Sequence, residues 1–254
     1  MFKHLAIAGV FTIGVVSTAH ASTVSGSFSG TIGAPSGATN PSIQYIGAGT
    51  SKLEWGTPGY GQTTVASGDS SSLTINDLDF SFDKDDLKAG SVLLGTITWN
   101  NQSNWHTGSD WSSSVNLNID FLVPSAVSLG QSVAFGITNT PDKSYNTNKN
   151  EQTGNNPDLI SDLVLDANAF GVPIKLGDDY KLTSVFFSHE AVGKGSTYDP
   201  STGLWTNVEG GTTSIGIYGE ISAVPLPAGM WLMLAGLGSL AAMRRRKKSV
   251  LNAI

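Results

Sequence analysis

The chain has 254 residues, enough for one domain of ordinary size with short terminal segments. Charged residues make up only 13% of it, and cysteine is absent, which excludes thiol nucleophiles, zinc–cysteine sites and iron–sulfur clusters. Residues 22–223 contain eight lysines, no arginine and all twenty carboxylates, a net charge of −12. Because such a body repels nucleic-acid phosphates, nucleic acid is not expected as a partner.

The first 21 residues have the layout of a secretory signal peptide. Lys3 is followed by an apolar run from Leu5 to Val16, and the stretch closes on the small residues Ala19 and Ala21, the spacing that signal peptidase recognises. The apolar run of about 12 residues is short for a membrane span. We therefore expect signal peptidase to cleave after Ala21 and the protein to be exported with Ser22 as its first residue.

Alternation of apolar and polar residues at period two predicts strands through the body. In chain order the apolar sets are Leu73 and Ile75; Leu78, Phe80 and Phe82; Leu93, Ile97 and Trp99; the odd positions from Val115 to Val123; Val133, Phe135 and Ile137; and Ile215, Ile217 and Ile221. The phase slips at Asn76 and Asp77, which predicts a bulge or a break between two strands. We expect residues 22–223 to form an all-β fold, a single antiparallel β-sandwich of jelly-roll-like kind with at least eight strands.

Three stretches of the body do not follow this alternation. Residues 156–163 fit a short helix with Asn156 as N-cap and Pro157 at its first position, and they fit a turn and strand equally well. The polar stretches 141–157 and 193–211 are expected to be loops. No internal repeat or long linker divides the body, so one domain is expected.

Five carboxylates are concentrated between Asp77 and Asp86. A dense local run of this kind is typical of a solvated turn. Asp83, Asp85 and Asp86 also place three carboxylates within four residues, and Ca²⁺ prefers six to eight oxygen ligands. A solvated turn and a Ca²⁺ site are therefore both open, whereas glycoside hydrolysis needs carboxylates that converge on a cleft. No other cofactor is expected.

Three tryptophans, Trp99, Trp105 and Trp111, lie within 13 residues. Trp99 ends an alternating strand and is expected in the core. Trp105 and Trp111 fall among turn residues, and exposed indoles stack on sugar rings. These two are candidates for contact with a glycan such as an exopolysaccharide, with ordinary packing as the alternative.

The mature chain contains two histidines, His106 and His189. A serine–histidine–carboxylate triad would need one of them beside a serine on a strained turn, and the sequence has no such nucleophile motif. Ser188 adjoins His189, but neighbours on a strand point to opposite faces. We expect no catalytic residues and no enzymatic activity.

The C-terminal segment, residues 224–254, has three parts. They are the motif Val224, Pro225, Leu226, Pro227 and Ala228; the apolar run from Gly229 to Met243; and the basic cluster Arg244, Arg245, Arg246, Lys247 and Lys248. Motif and run together give about 20 residues, the length of a minimal transmembrane helix. Under the positive-inside rule the basic cluster stays in the cytoplasm, which leaves the acidic body outside.

This tail, VPLPAGMWLMLAGLGSLAAMRRRKK, resembles the PEP-CTERM class of sorting signals in its VPLPA-CTERM variant. The resemblance implies a Gram-negative bacterium that makes exopolysaccharide. It also implies an exosortase, a membrane-embedded cysteine protease that cuts at or near the motif and passes the protein onward. The residues after Lys248 depart from the pattern, because such tails often stop at the basic cluster. A plain tail anchor that is never cut is the alternative.

The body resembles the choice-of-anchor K domain through WGTP at 55–58, NTP at 139–141 and GIYGEI at 216–221. That resemblance implies an extracellular bacterial domain placed ahead of a sorting tail, and it assigns no activity. We expect an inner-membrane-anchored precursor that becomes a structural or adhesive component of the cell surface or biofilm matrix. A carbohydrate-binding module, assisted by Ca²⁺, is the alternative.

Overall fold

A computed structural model of the chain describes residues 23–57, 70–83, 85–102, 109–139, 157–190, 195–224, 233 and 235–239. The side chains of residues 88, 89, 189 and 190 are not described. Within these described residues the body is all-β, with fourteen strands and two 3-10 helices at Asp86–Ala89 and Ala167–Phe170. Residues 233 and 235–239 are helical.

The strands form two seven-stranded sheets in which every pairing between neighbours is antiparallel. The first sheet, in spatial order, contains β12 (Thr197–Asp199), β13 (Leu204–Asn207), β9 (Asp158–Ser161), β8 (Val127–Asn139), β7 (Ser109–Val123), β1 (Thr23–Ile32) and β5 (Leu78–Asp83). The second contains β10 (Ile174–Leu176), β11 (Tyr180–Glu190), β14 (Thr212–Ala223), β6 (Ser91–Asn100), β4 (Ser71–Asn76), β3 (Lys52–Gly56) and β2 (Gln44–Ile46). The prediction of an all-β fold built from antiparallel strands is confirmed.

The core follows from the alternation in the sequence, because one face of each long strand is apolar. On β7 the side chains of Val115, Leu117, Ile119 and Phe121 are at most 2% exposed, as the pattern predicted. The two sheets approach closely where Phe28 of β1 lies over β6. A Cβ atom added at Gly95 would overlap the Phe28 ring, so glycine is required there.

The phase slip at Asn76 and Asp77 is a break and not a bulge. β4 ends at Asn76 in the second sheet and β5 starts at Leu78 in the first, so the chain crosses between sheets at this point. Because only Asp77 lies between the two strands, the apolar positions change from odd residue numbers in β4 to even residue numbers in β5.

Two sequence-based expectations are corrected, and one open alternative is decided. Leu93 is only half-buried while Val92 and Leu94 are buried, because a register shift between β6 and β14 changes the phase near Gly95. Of the two alternatives for residues 156–163, the described part is the strand β9. The stretch 193–211 is not a plain loop, because it contains β12 and β13 with the buried Tyr198 and Trp205.

The strand directions give the body two distinct ends. The terminal end comprises Thr23, the turns at 83–91, 124–126 and 177–179, and the exit of β14 at Ala223 and Val224. The loop end comprises the ends of strands at 56–57, 70–71, 100–102, 109–110, 138–139, 157–158, 195–197 and 207–212.

Candidate functional site

The acidic turn of the terminal end is held by its own backbone. The Asp83 carboxylate accepts hydrogen bonds from the amides of Asp85 at 2.7 Å and Asp86 at 3.0 Å. The Asp86 carboxylate accepts one from the amide of Asp83 at 2.9 Å. All three side chains are exposed. The arrangement is that of a solvated turn whose short polar side chains replace backbone acceptors.

These three carboxylates are the metal ligands that the sequence suggested. Among the described residues, no group of three or more His, Cys, Asp or Glu side chains is arranged to hold a metal ion. Two of the carboxylates, those of Asp83 and Asp86, already accept backbone hydrogen bonds. Ca²⁺ binding at Asp83, Asp85 and Asp86 therefore stays a sequence-based prediction.

Trp111 does not lie in a turn and does not face solvent, which corrects its proposed role in glycan contact. It is the third residue of β7, is 4% exposed, and packs edge-on against Tyr45 and Trp55 at centroid distances of 5.1 and 5.2 Å. A buried indole has no free face for a sugar ring. Trp99 is 0% exposed, in agreement with its predicted core position. Trp105 lies outside the described residues.

The other predicted site residues are only partly placed. Ser188 is half-buried on β11, and His189 follows it in the same strand. His106, the cleavage residues Ala19 and Ala21, the motif residues 225–228 and the basic cluster 244–248 lie outside the described residues.

The loop end contains a buried polar row that the sequence-based reasoning missed. Two residues inward from it, an apolar row crosses four neighbouring strands of the first sheet: Trp205, Ile160, Ile137 and Trp111. The polar row consists of Asn207, Asp158, Asn139 and Ser109. Asn207 pairs with Asp158, and Asn139 pairs with Ser109. Asn139 comes to lie beside Asp158 when the β8–β9 register is continued by one residue. All four polar side chains are at most 2% exposed.

Asn207 and Asn101 tie the two sheets together at this end. The Asn207 amide nitrogen donates to the backbone oxygens of Trp99 at 3.2 Å and Gly211 at 3.1 Å. The Asn101 amide nitrogen donates to the backbone oxygen of Asn207 at 3.0 Å. Buried amides that bond to backbone groups fix the chain in one arrangement. This network therefore joins the ends of β6 and β13 to the start of β14 at the loop end.

Asn139 differs from Asn207 although both are almost fully buried. Within the part of the chain that the structure describes, neither its amide nitrogen nor its amide oxygen has a hydrogen-bond partner. A buried amide without a partner costs free energy, so the position is either destabilising or occupied by an ordered water. The signal that could have revealed this row is the spacing, since each polar residue lies two positions from a buried apolar one.

Two tyrosines, the buried Tyr198 and the partly buried Tyr45, pack beside the apolar row. The Tyr198 hydroxyl donates to the backbone oxygen of Leu163 at 2.9 Å, and burial, with a smaller effect of the Asp199 charge, raises the pKa of Tyr198. Burial also raises the pKa of Tyr45 to about 12. The hydroxyls of Ser201 and Thr202 bond to Asp199 and lower the pKa of that carboxyl.

Val224, the first residue of the predicted sorting motif, directly follows the last strand of the described body. Tyr180 pairs with Ala223, and the Val224 amide then donates to the backbone oxygen of Asp179 at 2.7 Å. An open, mainly apolar cavity of about 490 Å³ lies beside this exit, lined by residues that include Leu87, Tyr180, Ile221 and Ala223. Among the described residues, no helix is long and apolar enough to span a membrane.

No protein-family model matches the chain, and no curated protein matches it either.

Proposed function

We propose that this chain is an exported bacterial protein of structural or adhesive type, without enzymatic activity, located at the cell surface or in the extracellular matrix. In this proposal a signal peptide, residues 1–21, precedes a single jelly-roll-like sandwich. The tail, residues 224–254, spans the inner membrane once, and an exosortase releases the body by cutting at or near the motif.

The position of the fold in the chain is the observation that supports this proposal. β1 begins at Thr23, β14 ends at Ala223, and the Val224 amide donates to the backbone oxygen of Asp179. All strands of the described residues therefore lie between the two proposed processing segments.

The burial of Trp111 favours a structural role over the carbohydrate-binding alternative. Trp111, one of the two tryptophans proposed to stack on sugar rings, is buried in the core, where it contacts Trp55 and Tyr45. Core aromatic residues stabilise the fold and are not available to a ligand.

The test is mass spectrometry of the mature protein from a Gram-negative host that has a functional exosortase. We expect an N-terminus at Ser22 and a C-terminus within or next to residues 224–228. The same host without its exosortase is the control and should retain the full tail in the membrane fraction. Protein recovered outside the cell with Arg244 to Lys248 intact would contradict the proposal.

A matched variant tests the basic cluster itself. Replacing all five residues from Arg244 to Lys248 with serine should reduce membrane retention of the precursor, because the cytoplasmic stop is lost. Unchanged retention would indicate that these charges do not orient the tail.

A further inference from the structure

We propose that the terminal end of the body faces the lipid surface while the tail holds the precursor, and that the β7–β8 turn with Leu122 and Val123 contacts the headgroup region. This inference rests on the proposed function, because the tail supplies the anchor. It adds an orientation, a contact surface and a partner, namely the lipid bilayer.

The first argument is the length of the tether. The Val224 amide is fixed to Asp179, so the chain is part of the sheet up to that residue. The apolar run starts at Gly229. Five residue steps extend to about 18 Å at most, and the polar headgroup layer occupies about 5–8 Å of that distance. The sheet must therefore end close to the lipid surface.

The second argument is that the β7–β8 turn lies beside the tether. The Ser125 hydroxyl accepts a hydrogen bond from the Gly177 amide at 3.0 Å, and Gly177 starts the turn that ends at Asp179. Asp179 in turn holds Val224. The turn at 124–126 is thus connected to the chain exit through two hydrogen bonds.

The third argument is the exposure of apolar side chains at this turn. Leu122 is 63% exposed, the most of any large hydrophobic residue in the described body, and the adjacent Val123 is 39% exposed. Single exposed leucines are common on soluble proteins. Here the exposed pair lies at the end that the tether brings to the lipid, where burial in the interface would stabilise it.

Charge at the terminal end acts against close contact. Asp83, Asp85, Asp86 and Asp178 are exposed there and would face an anionic membrane surface. Such repulsion is screened over about 8 Å at physiological ionic strength. We therefore expect the contact of Leu122 with lipid to strengthen as salt is raised, the opposite of an adhesion that depends on basic residues.

The chain has no cysteine, so one introduced cysteine gives a unique label. The experiment uses full-length chain reconstituted without exosortase into phosphatidylethanolamine–phosphatidylglycerol vesicles that contain nitroxide-labelled lipid. A bimane fluorophore is attached at Leu122→Cys or, as the matched control, at Thr138→Cys. Thr138 is exposed at the loop end, eleven residues along β8 from Val127, which is about 37 Å in a strand.

We expect nitroxide quenching at position 122 to exceed that at position 138 at least threefold, and to increase with salt. Ala126→Cys, an exposed position in the same turn, provides a second label should Leu122→Cys fold poorly. Vesicle flotation measures anchoring separately. A chain that floats with equal quenching at both ends, or with none at 122 and 126, overturns the orientation alone. A chain that does not float overturns the tail anchor and the orientation together.

Discussion

The two ends of this sandwich differ in how they satisfy their polar groups. At the terminal end the connections are short, with three residues each at 124–126 and 177–179, and the carboxylates of the acidic turn are exposed. Two connections at the loop end are long, with 18 residues between β8 and β9 and 14 between β3 and β4, and the polar row of this end is buried. The loop end therefore buries polar side chains in its interior, whereas the terminal end keeps its carboxylates exposed and bonded to backbone amides of their own turn.

Connections longer than about 12–15 residues are uncommon in compact domains and usually carry function. Two such connections start at strand ends of the loop end, which our orientation points away from the membrane. Ligand or partner contacts are accordingly expected there, while the terminal end would lie next to the proposed tail anchor.

The largest expected difference between the ends is in the cost of truncating an apolar side chain. Trp99 is fully buried and packs edge-on against Trp205 at 5.4 Å, so Trp99→Ala should lower the free energy of unfolding by about 3–5 kcal/mol. Leu122→Ala, at the exposed turn of the terminal end, should change it by less than about 0.5 kcal/mol. Denaturant unfolding of the purified proteins measures both. Similar losses for the two variants would refute the contrast.

The second difference is between buried and exposed asparagines. Asn207→Ala removes both donors to the backbone oxygens of Trp99 and Gly211 and should cost about 1–3 kcal/mol, because those acceptors stay buried. The matched control is Asn116→Ala on the solvent face of β7, which should be close to neutral. If Asn207→Ala is also neutral, the network does not hold the loop end.

The alternation along β7, β8 and β14 was sufficient to predict an all-β antiparallel fold, because half-buried strands impose a period of two. The hairpin of β12 and β13 could not be predicted in this way. Each of its strands is only three or four residues long and contains a single aromatic residue, Tyr198 or Trp205, so no alternation can be recognised. The prediction that Trp111 lies in a turn was wrong for a similar reason, because the serines that follow it on β7 are residues typical of turns.

The candidate site was harder to predict than the fold. Burial of Asn139, Asp158 and Asn207 depends on how three strands align side by side, and alignment between strands is not visible in local sequence. The acidic turn is the opposite case. Its carboxylates, Asp83, Asp85 and Asp86, are evident from the sequence, but the hydrogen bonds that two of them accept from backbone amides are not.

Alkaline pH should destabilise the loop end through two tyrosines, Tyr45 and Tyr198. Burial raises the pKa of Tyr45 to about 12 and raises that of Tyr198, so the folded state holds these protons more tightly than the unfolded chain, where the pKa is 10.0. Their contribution to stability is complete below pH 10 and is lost as the pH rises from 10 towards 12 and above. Tyr198→Phe should cost about 1 kcal/mol at pH 7 through its lost hydrogen bond to Leu163.

The check is the free energy of unfolding of wild type and Tyr198→Phe measured at pH 7 and at pH values above 10. We expect the gap between them to narrow above pH 10, because the variant has one titrating tyrosine fewer. A gap that stays constant would show that Tyr198 titrates alike in the folded and unfolded states.

The smallest expected effect is at Asn139, and its sign is informative. Asn139 and Asn207 belong to the same buried row, yet neither amide atom of Asn139 has a hydrogen-bond partner among the described residues. Asn139→Leu keeps a similar shape and removes the cost of burying an amide, so stability should stay within about 1 kcal/mol of wild type or rise. Asn207→Leu, the matched variant in the same row, should be destabilising. A loss well above 1 kcal/mol for Asn139→Leu would mean that a buried water completes its hydrogen bonds, and the row would then be a hydrated layer supporting the long connections.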